Sequence, residues 1–406
     1  MKRWQYYWRK LRSRIWFRAS LYAGFGVAAA LLAVIASPLV PEAVADRLGG
    51  ESVEAILTIL ASSLLAVATF SLGAWVSAYT AVSQAASPRV AALVTSDEAT
   101  QKSLSTFVGA FLYAVVAVTA VNARYYGPEG RAVLYLTSLA VVGLVAFRLL
   151  AWINRLASLA RLSHMIELVE ERTAEGLAQQ PPTHPGPPAS GADIRATRTG
   201  YVQNIDLSRL QEIAEAEEFR VEILAPVGAF RRRGETLGRV SIPMLTDEVE
   251  AELQASFSVA RSRTFEQDPR YGLIVLGEIG ERALSPAVND PGTAIQITGV
   301  ALRLLDDWGR SQIQDNDINL DNSRVTRPVL EPGVLVHDVF GPLIRYGSSD
   351  VAVAIRVQKA LRSLADAGSA VSLGAARLAI EARDRARTEL VKADRARFDA
   401  EFRKGR

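Results

Sequence analysis

The sequence contains no cysteine and only three histidines in 406 residues. Without cysteine, the chain can form no disulfide, no thiolate metal site and no covalent intermediate on a thiol. The three histidines, His164, His184 and His337, are scattered, so the sequence predicts neither a metal site nor a cofactor. The net charge is only +3, which provides no global field to attract nucleic acid, and we expect no nucleic-acid partner.

Charged residues are also absent from long runs in the first 155 residues. Such runs matter because about 20 apolar residues cross the roughly 30 Å hydrocarbon layer of a membrane. We predict a domain of four membrane-spanning helices at residues 20–40, 55–76, 103–123 and 132–154. The second run continues without charge, so we expect its helix to extend to residue 87. The lipid bilayer is therefore the first predicted partner.

Basic residues are concentrated before the first predicted span. Residues 1–19 carry seven Lys or Arg side chains interleaved with aromatic ones, which is typical of a segment lying on an anionic membrane surface. Lys and Arg accumulate on the cytoplasmic side of membrane proteins. We therefore expect this tail, and everything after the fourth span, to be cytoplasmic.

The second predicted helix carries small and polar residues at spacings of three, four or seven. They are Ser62, Thr69, Gly73, Ser77, Thr80 and Gln84. These spacings place the residues on one face of the helix. A pore-lining helix has such a face, and so does a helix that packs closely on another, because small residues let backbones approach. Both interpretations stay open.

The second half of the chain predicts a cytosolic α+β region. Residues 172–198 are rich in proline and predict a linker. Residues 199–245 contain short apolar stretches between glycines and prolines, which predicts a small β-barrel-like module. Residues 246–370 predict an α/β domain with two short strands within 325–339. Residues 371–406 predict one long charged helix.

Two Asp-Pro pairs predict helix starts, because aspartate caps a helix and proline suits its first turn. The first is Asp268-Pro269. The second begins at Asp290, in a turn that also holds Ser285, Asn289 and Thr293. These four side chains could converge on a ligand at the helix amino terminus, where free N–H groups favour anions. Turns and caps use the same residue types, so a ligand site and a structural turn both stay open.

Two pairs of segments carry a resemblance to a known family. The first pair is FSLGAWVS at residues 70–77 with QAASPRV at 84–90, and the second is DPRYGL at 268–273 with ALSPAVNDPGTA at 283–294. Together they resemble the DUF2254 family of predicted bacterial membrane proteins. The resemblance implies a multi-pass protein of the bacterial inner membrane, and it implies no reaction, because the family has no assigned one.

The sequence is compatible with three functions, which we rank by the features that support them. We predict a homo-oligomeric channel or transporter-like protein with a cytosolic regulatory domain, since four helices rarely enclose a path alone. The alternative is a non-catalytic sensor or scaffold whose cytosolic domain binds a partner protein or a small ligand. An enzyme built on the turn that contains Asp290 is the least favoured, because no Ser-His-Asp set, phosphate loop or HExxH motif accompanies it. We therefore predict no catalytic residue.

Overall fold

The computed structural model describes residues 15–36, 41, 52–95, 97–159, 161–180, 188–314 and 324–403. These residues form two compact units. We call them the membrane unit, up to Met165, and the carboxy-terminal unit, from Ile166. The predicted basic tail up to residue 14, the central linker residues 181–187 and the last residues 404–406 lie outside the described residues.

The membrane unit is made of helices. They are α1 (Ile15–Ala36), α2 (Ser52–Ala85), α3 (Pro88–Thr95), α4 (Glu98–Asn122) and α5 (Pro128–Leu159). Its core is formed mostly by small and branched side chains of α1, α2 and α4, with Tyr113 buried among them. The Tyr113 hydroxyl lies 2.7 Å from the Thr137 hydroxyl, so the polar atom of this buried ring has a partner on α5.

Three helices are apolar and long enough to cross a membrane: Ser52–Gln84, Glu98–Asn122 and Pro128–Ser158. The predicted second span indeed continues as one helix to Ala85. The first predicted span corresponds to α1, whose described apolar part, Phe17–Ala33, is shorter. Residues 37–40 of that predicted span lie outside the described part of the chain. The prediction of four spans is therefore confirmed for three helices only.

Helices α1 and α4 approach each other closely at two glycines. A Cβ atom on Gly26 would lie 2.3 Å from the Gly109 carbonyl oxygen, and one on Gly109 would lie 2.7 Å from the Tyr22 carbonyl oxygen. Near the start of α4, Asp97 caps the helix and accepts two hydrogen bonds from Arg155 of α5, at 2.5 and 3.2 Å. Close backbone packing and this ion pair together fix the bundle.

The carboxy-terminal unit combines short strands with helices. Its strands are β1 (Asp193–Arg195), β2 (Gly200–Ile205), β3 (Val221–Ile223), β4 (Phe230–Arg231), β5 (Thr236–Val240), β6 (Phe257–Ala260) and β7 (Val325–Thr326). Its helices, after α6 (Leu162–Ala178), are α7 (Leu207–Ala216), α8 (Asp247–Ala255), α9 (Pro269–Ala283), α10 (Pro291–Gln314), α11 (Pro332–Gly347), α12 (Val351–Asp366), α13 (Ser372–Glu389) and α14 (Lys392–Arg403).

The strands form two open sheets rather than a barrel. One sheet has the order β1-β5-β3-β7 and the other the order β4-β2-β6. Sheet pairing in the described residues does not close on itself, so the predicted β-barrel-like module is not confirmed. The reason lies partly in β7, which comes from about 100 residues later and pairs in parallel with β3.

Two further elements differ from the expectation. Of the two strands predicted within residues 325–339, the second is the start of α11, which has Pro332 in its first turn and buries Leu335, Val336 and Val339 on one face. The predicted long final helix is two helices, because Leu390 adopts an extended conformation with ψ 137° between α13 and α14.

Candidate functional site

All six residues of the predicted polar face of α2 lie on the outer surface of the membrane unit, where each is exposed. The hydroxyls of Ser62, Thr69, Ser77 and Thr80 donate to carbonyl oxygens of their own helix at 2.8–3.0 Å. A Cβ atom on Gly73 would meet open space. The buried face of α2 is a different one and contains Val53, Leu57, Leu60 and Leu64. The polar face therefore does not pack on the other helices that the structure describes in the membrane unit.

The turn before α10 brings Ser285, Asn289, Asp290 and Thr293 together as neighbours in a tight bend. Asp290 accepts a hydrogen bond from the Thr293 backbone at 3.1 Å and another from its hydroxyl at 2.5 Å. These bonds hold the pKa of Asp290 below its usual value. The Ser285 hydroxyl donates to the Arg282 carbonyl oxygen. Asn289 has a left-handed φ of 49°, which asparagine tolerates well. Three of the four side chains thus serve the turn and the cap.

A cavity of about 650 Å³ lies within the carboxy-terminal unit. This volume is in the range that holds small organic molecules, about 300–1,000 Å³. Its walls come from strand ends, loops and helix starts that are far apart in the sequence. The apolar lining is formed by Ile205, Leu207, Ile223, Pro226, Val227, Ala229, Pro328, Val329, Leu330 and Val334.

Three arginines line the cavity, and two of them are paired with carboxylates. Arg263 donates to both oxygens of Asp268 at 2.7 and 2.8 Å. Arg270 donates to both oxygens of Asp338 at 2.7 and 3.2 Å, which raises the pKa of Arg270. The positive charge of each of these two arginines is therefore balanced by an adjacent carboxylate.

The third arginine, Arg327, differs from the other two. It has no hydrogen bond and no ion pair with any residue that the structure describes. Burial lowers the pKa of its guanidinium, and no carboxylate in the described part of the chain opposes that effect. A guanidinium nevertheless stays charged at neutral pH. Arg327 is therefore a half-buried guanidinium without an ion-pair partner among the described residues, at the wall of a cavity that has both apolar and polar lining.

Asp268 holds one wall of the cavity in place. Its side chain is 1% exposed and caps α9 through the Tyr271 backbone, in addition to its bonds from Arg263. Burial raises the pKa of Asp268, against the lowering effect of Arg263. Gly228 lies directly against this pair, with φ +89° and with a would-be Cβ 2.3 Å from the Asp268 Oδ2 atom. A side chain at residue 228 would therefore displace the ion pair.

The start of α11 also borders the cavity. Its cap residue, Glu331, and its third residue, Val334, are among the lining residues. Glu331 is at the cap position but makes no side-chain capping hydrogen bond, unlike Asp268 at the start of α9. Its charge acts on Arg270. The N–H groups of Val334 and Leu335 donate instead to the Glu331 carbonyl oxygen, and the Glu331 carboxylate belongs to the lining.

The comparison with known families decides the identity of the chain. The family model described as "Predicted membrane protein (DUF2254)" matches residues 12–363. The chain belongs to the DUF2254 family. The uncharacterized proteins Mb1321c of Mycobacterium bovis and Rv1290c of Mycobacterium tuberculosis are each 33% identical to it over 133 residues, which is 32% of this chain. The match covers 25% of the length of each relative. No solved structure matches the chain.

The arginines of this DUF2254 protein are the functional candidates that the sequence patterns do not reveal. Asp268 was predicted as a helix cap, and the structure confirms the cap, but its bonds to Arg263 have no signature in the sequence. Arg327 lies in a segment predicted to be strand, and nothing in its neighbourhood marks it as a site. Only the fold brings Arg327 to the same cavity as residues 205–229 and 263–270.

Proposed function

We propose that this DUF2254 protein is a membrane-anchored binding protein whose carboxy-terminal unit holds a small molecule. The observation that carries this proposal is the cavity of about 650 Å³, whose walls combine apolar side chains with converging polar and charged groups. That combination is typical of small-molecule sites. The three apolar helices supply the anchor. The proposal corresponds to the sensor expected from the sequence as the alternative to a channel.

The test uses the full chain in nanodiscs of phosphatidylcholine and two eight-carbon probes, octanoate and octanamide, titrated calorimetrically. Ala229 lines the cavity, so Ala229→Trp fills part of its volume. Ala216 is exposed at the end of α7, so Ala216→Trp is the matched control. We expect at least one probe to bind the parent chain and Ala216→Trp, with that binding lost in Ala229→Trp. Binding of neither probe, or equal binding to Ala229→Trp, would contradict the proposal.

A second candidate function is self-association of the membrane unit, as a channel or transporter-like protein requires. It is supported by the exposure of the whole polar face of α2. Small and hydroxyl residues on an exposed face allow a second helix to approach closely in a membrane. In this proposal the partner of the face is α2 of another copy.

The absence of cysteine makes this second candidate easy to test by cross-linking. Thr69→Cys and Ser77→Cys place single thiols on the polar face, and Leu150→Cys places one on an exposed apolar position of α5. We expect oxidation in native membranes to give dimers with the two α2 variants and not with the α5 variant. Equal yields from all three, or no dimer from any, would rule out a specific contact through α2. Ion flux through liposomes would then be measured only for a cross-linked form.

A further inference from the structure

The lining of the cavity in the carboxy-terminal unit also indicates the chemical class of its ligand. This inference rests on the proposed binding function. Of the three arginines in its wall, Arg263 and Arg270 each make a two-point contact with a carboxylate. Arg327 makes none within the described residues. A ligand without negative charge would therefore leave one half-buried guanidinium without a partner. Buried charges without partners are costly, because they lose hydration without compensation.

The apolar part of the lining restricts the ligand further. The lining next to Arg327 in the chain is Pro328, Val329 and Leu330, and the ends of strands β2 and β3 contribute Ile205 and Ile223. A bare inorganic anion would satisfy the guanidinium but would leave this apolar surface in contact with water. A ligand that has an apolar body as well as an anionic group would cover both. Removal of apolar surface from water is favourable in proportion to the area buried.

We propose that the cavity binds a small amphiphilic anion, with its carboxylate or phosphate group on Arg327 and its apolar body against the strand ends. The anionic group would accept hydrogen bonds from the guanidinium, which presents a planar set of N–H donors suited to such groups. Arg263 and Arg270 remain with their own carboxylates and shape the wall. A single-chain lipid fragment and a free metabolite with an apolar body and an anionic group share this chemistry.

The test extends the calorimetric comparison to the charge of the ligand. Octanoate, octyl phosphate and octanamide have the same apolar body, whereas acetate and inorganic phosphate supply the anionic group alone. Arg327→Gln removes the guanidinium. Arg345→Gln is the matched control, because Arg345 is an exposed arginine of the same unit that does not line the cavity. Thermal unfolding of each variant checks that it is folded before titration.

We expect octanoate or octyl phosphate to bind about tenfold or more tightly than octanamide, as a charge-assisted hydrogen bond implies. The preference should persist in Arg345→Gln and vanish in Arg327→Gln, with partial retention in Arg327→Lys.

Equal binding of octanamide and the anions to the parent chain would overturn this inference and leave the binding function intact. The same holds if inorganic phosphate or acetate binds as tightly as the octyl anions. Binding of no probe would instead contradict the proposed function itself. A comparison of octyl phosphate with lysophosphatidic acid then distinguishes the two sources. Tighter binding of lysophosphatidic acid would indicate a lipid fragment, and tighter binding of octyl phosphate a free metabolite.

Discussion

Gly228 shows how a residue without a side chain can leave room for a buried ion pair. It combines a left-handed φ of +89° with close contact to the buried pair of Asp268 and Arg263. Gly234 has nearly the same φ, +87°, but open space where a Cβ would be. Substitution of either glycine would strain the backbone, but only a side chain at residue 228 would also collide with neighbouring atoms. A comparison of the two therefore separates the effect of backbone strain from that of steric contact.

We predict that Gly228→Ala destabilises the carboxy-terminal unit more than Gly234→Ala. Both variants lose roughly 1 kcal/mol through strain at positive φ. Gly228→Ala loses about 1–3 kcal/mol in addition, because its methyl group displaces a packed ion pair. Thermal unfolding of the two variants, followed by circular dichroism, gives the difference. Equal melting temperatures would show that the ion pair of Asp268 and Arg263 can move aside without loss of stability.

Asp290 allows a pH test of the turn before α10. Hydrogen bonds from Thr293 lower its pKa in the folded state. A lowered folded-state pKa means that the charged cap stabilises the protein above the unfolded pKa of about 3.9, and that this contribution disappears as the pH falls through the folded value. Asp290→Ala should therefore cost about 1 kcal/mol at neutral pH, as loss of a cap does.

The difference in melting temperature between the parent chain and Asp290→Ala should shrink below about pH 3.9. A difference that is independent of pH would show that the carboxylate charge is irrelevant to the cap. If octanoate binding is unchanged in this variant, the turn is structural only, whereas loss of binding with unchanged stability would make it part of a site.

At the scale of secondary structure, the backbones of α1 and α4 approach each other closely where the two helices cross. Gly26 and Gly109 are almost in backbone contact there. In membranes such crossings depend on small residues, because lipid is as apolar as the side chains and hydrophobicity does not drive the helices together.

We predict that Gly26→Leu separates α1 from α4, while Gly24→Leu is tolerated. The two glycines lie in the same helix, and a Cβ on Gly24 would meet nothing within 4 Å. Overpacking of this kind typically costs about 1–3 kcal/mol. Proteolysis of the purified protein in detergent, at increasing temperature, compares the two variants. Similar resistance of both would mean that α1 is not held through Gly26.

The elements that sequence patterns predict well are those with local causes. The long second helix follows from an uninterrupted apolar run, and the starts of α9 and α10 follow from Asp-Pro pairs. The sheets depend on distant partners instead. β3 pairs with β7, which lies about 100 residues later, and no local pattern encodes that pairing. The predicted β-barrel-like module is not confirmed for this reason.

The candidate site was not predictable for the same physical reason. The cavity is lined by segments that begin near residues 179, 205, 223, 263 and 327. Each segment is ordinary by itself, and the unbalanced charge of Arg327 appears only when the partners of Arg263 and Arg270 are known. By contrast, Asp290, Asn289 and Ser285 formed a conspicuous sequence motif, and their hydrogen bonds are those of a turn and a cap.

The whole molecule combines three apolar helices with a carboxy-terminal unit that contains a cavity, for which we propose an amphiphilic anion as the ligand. The family membership agrees with a membrane protein and assigns no activity. The proposed binding function must therefore be tested on the intact chain, by asking whether a ligand binds to its carboxy-terminal unit.

Hydrogen–deuterium exchange of the full chain in nanodiscs, with and without octanoate, tests this most directly. We predict slower exchange in peptides covering residues 224–230, 263–270 and 327–334, which line the cavity, and no such change in Arg327→Gln. No protection in these peptides at saturating octanoate, or protection confined to the membrane unit, would contradict the account.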